Sequence, residues 1–292
     1  MDYFTCFGEV LWDVFPEEVK MGGAPLNVAF RLRKFERPVA IISAVGNDVL
    51  GDRLLQYLDD NLINTAFIQK NEDYQTGKVH VLLDTSGSAS YEIQHPAAWD
   101  HIQLNKEVSE RVERSKVFVF GSLACRSPVS KHTLFELLKV ANFKVFDVNL
   151  RPPYFSQEIL SKLMSSATFI KFNEEELELI SQKFGSSFTA VEDNMGFISK
   201  TFGAKYICVT KGAAGAVLLI EKQFYYNSGY KISVKDTVGA GDSFLATLIH
   251  NLLSNIESQT ALDRACAFGT LVAGSDGANP EIRERDILAL MS

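Results

Sequence analysis

Long apolar runs, clustered cysteines and an excess of positive charge are all missing from this chain of 292 residues. Each absence excludes something. No uninterrupted apolar stretch is long enough to span a bilayer, so no membrane role is expected. Met1-Asp2-Tyr3-Phe4 is not a basic segment leading into an apolar one, so no secretory signal is expected. Cysteines number four (Cys6, Cys125, Cys208 and Cys266), and no two are close in sequence. That removes zinc ribbons and redox pairs. It leaves reduced, mostly buried thiols, as suits the cytoplasm. Lys and Arg number 29 against 36 Asp and Glu, a formal charge of −7. A phosphodiester backbone needs a basic face, so nucleic acid is not an expected partner. The five histidines are scattered without ligand spacing. Repeats and low-complexity tracts are absent too.

What is present is an ordinary globular composition, 46% hydrophobic and 22% charged, with ample material for a core. A strand is expected around Thr5-Cys6-Phe7-Gly8, then a helix from Pro25 through about Phe35. A buried strand at 39–45 closes on Gly46-Asn47-Asp48 and leads into a helix at 49–62. From about Phe67 to Ile93 the pattern is strand after strand, with Asp84-Thr85-Ser86-Gly87-Ser88 as a turn. Strands at 117–120, 144–148, 168–172 and 206–209 then alternate with helices at 104–114, 129–141, 156–165, 174–184 and 189–202. A hairpin (216–221 with 223–226) precedes a helix that the 239–242 segment opens, a second at about 258–274 and a short one at about 283–291. This alternation predicts an α/β fold with a mostly parallel sheet and helices on both faces. A single domain over 1–292 is expected. Segments of about 9–21 and 67–99 form an inserted β lid.

The most telling stretch is Asp236-Thr237-Val238-Gly239-Ala240-Gly241-Asp242-Ser243-Phe244. Apolar residues at 244, 245, 248, 249, 252 and 253 follow at helical spacing. Gly239, Ala240 and Gly241 therefore sit at a helix N-terminus, where unpaired amides and the dipole attract phosphate. A carboxylate at Asp242 repels an anion there unless it has a task. Taking the proton of an attacking hydroxyl is one such task, and capping the helix is the plain alternative. Two common nucleotide loops are excluded. Phe244 stands where a dinucleotide fingerprint needs its third glycine, and no Gly-x-x-x-x-Gly-Lys-Ser/Thr occurs.

Ligands in open α/β sheets lie beyond the carboxyl ends of the strands. Three polar segments stand there. Alternation puts Asp147, Asn149 and Arg151 on one face, suited to a polyol or a phosphate, or else forming a turn before Pro152-Pro153. Asn173 and Glu176 read as a capping box, or as a carboxylate that orders hydrated Mg²⁺. Thr210, Lys211, Gly212 and Gly215 suit a nucleotide site or a hairpin entry. Near the N-terminus, Gly22-Gly23 permits close ligand approach and Pro25 suits a first helical turn.

Taken together these segments resemble the ribokinase-like (PfkB) carbohydrate kinase family. Residues 236–244 resemble its C-terminal signature, and Gly22-Gly23-Ala24-Pro25-Leu26-Asn27-Val28-Ala29 its N-terminal one. Gly46-Asn47-Asp48 with Gly51 resembles a third segment. The order matches along nearly the whole chain. The resemblance implies an ATP-dependent sugar kinase in which Asp242 is the base and the amides of Gly239 to Asp242 hold the transferring phosphoryl group. It places sugar hydroxyls on Asp13, Gly22, Gly23 and Asn27, with Asn149 and Arg151 nearby. Asn173, Thr210, Gly212 and Gly215 would bind nucleotide, with Glu176 supporting Mg²⁺ indirectly. Asp236 and Thr237, with the 274–278 loop, would resemble a monovalent-cation (K⁺) site. Asp147-Val148-Asn149-Leu150-Arg151-Pro152 looks most like fructokinases, so fructose is the expected acceptor. Ribokinase, nucleoside kinase and 2-keto-3-deoxygluconate kinase are the alternatives, and a silent sugar- or nucleotide-binding regulator is the alternative of another class. A homodimer through the lid is also implied. Two departures stand out. Thr247 occupies a position usually held by glycine or alanine, and the lid segment 91–96 lacks an arginine.

Overall fold

Parallel strands buried on both faces must be apolar almost throughout, and the opening of the chain obeys this rule. In the computed structural model, which describes residues 2–15, 18–83 and 89–292, β1 (Tyr3–Phe7) is followed by β2 (Leu11–Val14) and β3 (Val19–Gly22). Next come α1 (Ala24–Lys34), the wholly buried β4 (Val39–Gly46), α2 (Val49–Asp60) and β5 (Ile68–Asn71). Then follow β6 (Gly77–Leu83), β7 (Ala89–Ile93), α3 (Lys106–Glu113), β8 (Ser115–Gly121) and α4 (Pro128–Val140). These elements make one compact unit ending at Asn142. Its parallel strands run in the order β8-β1-β4-β5, and a separate sheet runs β3-β2-β6-β7.

The second unit, Phe143–Ser292, starts with β9 (Phe143–Asp147), α5 (Gln157–Ser166), β10 (Phe169–Asn173) and α6 (Glu174–Lys183). It continues with α7 (Val191–Phe202), β11 (Tyr206–Thr210), β12 (Ala216–Ile220) and β13 (Gln223–Asn227). Three helices close it: α8 (Ala240–Leu253), α9 (Ser258–Ala273) and α10 (Glu284–Met291). Strands β9, β10 and β11 are parallel, and β12 and β13 continue the sheet antiparallel. The core of this unit is built on Phe146, Phe169, Phe172, Ile207 and Leu218, all without solvent exposure.

Helix and strand ends fall within about two residues of the sequence expectation, the usual uncertainty of such boundaries. Two details differ. The 67–99 lid expectation includes Ile68–Asn71, but this strand pairs in parallel with β4, and among the described residues the small sheet is built from β2, β3, β6 and β7. The turn expected at 84–88 lies outside the described residues. All four cysteines are free and buried, and burial pushes the thiols of Cys125 and Cys266 up to about 12. Among the described residues no helix is long and apolar enough to cross a membrane.

The Gly46-Asn47-Asp48 segment proves to be a structural junction. Asp48 caps α2, accepting from the Gly51 amide at 2.8 Å, and also accepts from the Thr76 amide and hydroxyl, both at 2.8 Å. A side chain on Gly51 would strike the Gly46 carbonyl. Burial pushes the Asp48 carboxyl up, but the three hydrogen bonds outweigh it and hold it below its ordinary value. The resulting stabilisation is present above the ordinary carboxylate range and disappears as pH falls through the lowered value. Asp48→Ala should therefore cost about 1 kcal/mol at neutral pH, with a smaller difference in acid. Urea unfolding of both proteins across that range checks this.

Candidate active site

The start of α8 lies where the glycines place it. Gly239 is its N-cap at φ 73°, a left-handed conformation that favours glycine. A Cβ there would stand 2.5 Å from the Ala278 Cβ, so the residue has neither the backbone nor the room for a side chain. Gly239 has no side chain with which to cap the helix. Asp242 lies one turn in, partly exposed, so it is not the cap. The Ala240 amide donates to the Thr237 carbonyl at 3.2 Å, which folds residues 237–240 into a tight turn. Thr247 is buried, yet its hydroxyl donates to the Ser243 carbonyl at 2.7 Å, so this departure leaves no polar group unpaired.

A cavity of about 570 Å³ opens beside this turn. It is lined by Thr210, Gly212 and Gly215 from the end of β11, together with Thr237, Ala240 and Gly241. Two segments 20 or more residues apart in sequence thus share one space, with phosphate-seeking amides at one side. Tyr230, Ile232 and Phe244 supply its apolar wall. Gly212 and Gly215 both have positive φ, but only Gly215 is pressed against backbone, that of Asn227 and Gly229.

At the ends of β9 and β10 the structure corrects one expectation. Alternation does not carry past Asp147, because β9 stops there and Asn149 takes φ 38°. Asp147 turns inward to Lys171, whose Nζ lies 3.1 and 3.4 Å from its two oxygens. Arg151 is exposed and donates to the Leu150 carbonyl. Asn173 and Glu176 realise the capping box. The Glu176 amide donates to Asn173 Oδ1 at 2.8 Å, and the Asn173 amide donates to Glu176 Oε2 at 2.9 Å. Glu176 Oε1 accepts from the Leu150 amide, tying α6 to the turn after β9. Glu176 is 8% exposed, and burial raises its pKa against the opposing pull of Lys171.

Lys171 escaped the sequence argument. Its signal was present: a lysine inside Phe169-Ile170-Lys171-Phe172, an otherwise apolar strand, demands a buried partner. Asp147 is its register neighbour on β9.

In the N-terminal unit the glycine pair adjoins Asp13. A Cβ on Gly22 would collide with the Asp13 carboxylate, and one on Gly23 (φ 110°) would come within 2.5 Å of the Glu9 carbonyl. Asn27 is buried one turn into α1, its amide donating to the Gly23 carbonyl. Asp13, Gly22, Gly23 and Asn27 are thus gathered at one corner.

Asp236 accepts from the Val238 amide at 3.0 Å and the Gly277 amide at 3.2 Å, which brings the 274–278 loop to the start of the signature stretch. Among the described residues no group of three or more His, Cys, Asp or Glu is arranged to hold a metal ion.

The family model described as pfkB family carbohydrate kinase matches residues 3–285. The chain belongs to that family, and it is a sugar kinase. A Pyrococcus horikoshii protein described as an uncharacterized sugar kinase is 30% identical to this kinase over 252 residues, covering 83% of this chain and 76% of its own. A fructokinase of Salmonella typhimurium is 25% identical over 300 residues, covering 95% and 96%. The solved structure of a Vibrio cholerae fructokinase with fructose, ADP and calcium superposes with a TM-score of 0.84 at 23% identity, covering 100% of this chain and 99% of its own. At that identity the superposition speaks for the fold, a ribokinase-like α/β architecture with a large mostly parallel sheet and a separate small one.

Proposed function

We propose that this kinase transfers the γ-phosphoryl group of ATP to a primary hydroxyl of fructose. The observation that carries the chemistry is the cavity shared by residues 210–215 and 237–241, with Asp242 in the adjoining helical turn. The fructokinases among its relatives support fructose as the acceptor.

On this reading Thr210, Gly212 and Gly215 line the nucleotide site, with Asn173 at the neighbouring strand end. The amides of Gly239, Ala240, Gly241 and Asp242 oppose the charge that spreads over the phosphoryl oxygens. The Ala240 amide contributes only if it leaves the Thr237 carbonyl. Asp242 takes the hydroxyl proton as the sugar oxygen attacks phosphorus and the bond to ADP breaks. In the first unit Asp13, Gly22, Gly23 and Asn27 are assigned to sugar hydroxyls; in the second, Asn149 and Arg151 are assigned to substrate binding. Mg²⁺ neutralises phosphate charge when bound. Glu176 fits only a water-mediated role, since both its oxygens accept backbone amides and little of it is exposed. For K⁺ we assign Asp236, Thr237 and the 274–278 loop, supported by the Asp236 bond to Gly277. We further propose a cytoplasmic homodimer that covers one face of the small sheet, because a small sheet does not bury both faces alone. A monomer at micromolar concentration in sedimentation would count against that part.

The test is coupled ADP release over ketoses, aldoses, nucleosides and sugar acids, each with and without K⁺. Fructose is expected to give the highest kcat/KM. Preference for ribose, a nucleoside or 2-keto-3-deoxygluconate would replace the acceptor and keep the chemistry. ATP binding with no acceptor at all would favour a silent sugar- or nucleotide-binding regulator.

A further inference from the structure

A lysine in the middle of a dry strand needs an explanation, because a hydrophobic pair fills such a space at least as well as a buried ion pair. Lys171 is 7% exposed, with Phe169, Ile170 and Phe172 around it fully buried. Three carboxylates act on it. Asp147 is in hydrogen-bond contact, and Glu176 and Asp242 act on it through their charge. Burial alone would lower the pKa of its ammonium, but Asp147, Glu176 and Asp242 together outweigh burial and raise it. The group is therefore a fixed cation. Its position is specific. A Cβ built on Gly241 would stand 3.2 Å from Lys171 Nζ and 4.0 Å from its Cε. The ammonium thus comes up against the first turn of α8 from inside the protein, while the cavity opens on that same turn. The missing side chain at Gly241 leaves room for this approach.

We propose that Lys171 is an electrostatic positioning residue of phosphoryl transfer: anchored by Asp147, its ammonium puts permanent positive charge behind the amides of residues 239–242. This rests on the role given above to those amides and to Asp242. A helix terminus alone offers partial charges. A whole charge in a medium of low dielectric adds to the field at the phosphoryl oxygens and needs no reorganisation as the reaction proceeds. The same charge lets the Asp242 carboxylate sit beside an anion site. Lys171 touches neither substrate; it acts through the turn.

Three variants test this: Lys171→Met, the neutral pair Asp147→Leu/Lys171→Met, and Lys171→Arg. Each is measured for kcat, for KM of ATP, for thermal midpoint, and for the folded fraction by circular dichroism. Lys171→Met is expected to lower kcat per folded molecule on the order of 10²-fold, with KM for ATP little changed. It should also lower the midpoint, since Asp147 is left buried and alone. The neutral pair should recover the midpoint but not kcat. Lys171→Arg should recover part of kcat, because it keeps the charge. If the neutral pair regains parental kcat, Lys171 is only the partner of Asp147 and the proposal fails. Parental kcat in Lys171→Met, or no recovery with folded Lys171→Arg, overturns it too. The parent protein is the control for the premise. If it releases no ADP with any acceptor, the kinase reading has failed rather than this one.

Discussion

The Asp242→Asn enzyme is expected to fold, to bind ATP and to turn over about 10²–10⁴-fold more slowly than the parent. Loss of a general base falls in that range, and the N-cap position, the competing role for the residue, is held by Gly239. A capping aspartate would sit at the helix boundary with its side chain on a backbone amide. Here the boundary belongs to Gly239, and Asp242 stands within the first turn. Its charge does complement the helix dipole, but that contribution is on the order of 0.3–1 kcal/mol at a partly exposed site. Stability should therefore change little while kcat collapses. Thermal melting, ATP binding by calorimetry and sugar-dependent ADP release separate the two effects. An asparagine variant with near-parental turnover would end the assignment of Asp242 as the base. A variant that melts far below the parent would return the residue to a structural role.

The most legible parts of this molecule were those written within a few consecutive residues. Gly239-Ala240-Gly241 followed by an apolar helical pattern announced a helix N-terminus, and α8 begins there; the left-handed Gly239 cap is a finding of the structure. Asn173 with Glu176 announced a capping box that forms bond for bond. The less legible parts depend on register between distant segments. Asp147 read as the first of three residues on one face, because alternation holds only while the strand continues, and nothing local showed that Asn149 would turn to positive φ. Ile68–Asn71 is four residues long, too short for its pattern to choose between two sheets, and β4 takes it. Lys171 and Asp147 are 24 positions apart. Their pairing follows from the β9–β10 register, which no single stretch of sequence encodes. The candidate nucleotide cavity has the same character: its two halves were each visible as loops, and their convergence was not.

A second pairing of this kind lies in the N-terminal unit and carries the largest stability effect expected here. The Asp100 and Arg126 side chains are fully enclosed and joined by two bonds of 2.7 Å. The guanidinium lies 3.8 Å from the centre of the Trp99 ring and also donates to the Gln94 carbonyl at 2.7 Å, just past the end of β7. Asp100 in turn accepts from the Ala97 amide at 2.8 Å. One ion pair therefore pins the segment through which the small sheet returns to the body of its unit. Asp100→Ala would strand the guanidinium in a closed site, and breaking such a pair from one side costs about 3–5 kcal/mol. Replacing both partners by apolar residues of similar volume, Asp100→Leu with Arg126→Met, should recover much of that loss, because no charge is then left unpaired. It should not recover the Gln94 contact. The doubly substituted protein is thus expected to melt well above the single variant, yet to cleave faster than the parent between β7 and α3 under limited proteolysis. Equal melting of the single and double variants would mean that the stranded charge finds water after all. Unchanged proteolysis in the double variant would mean that the Arg126 bond to Gln94 is dispensable for holding the end of β7.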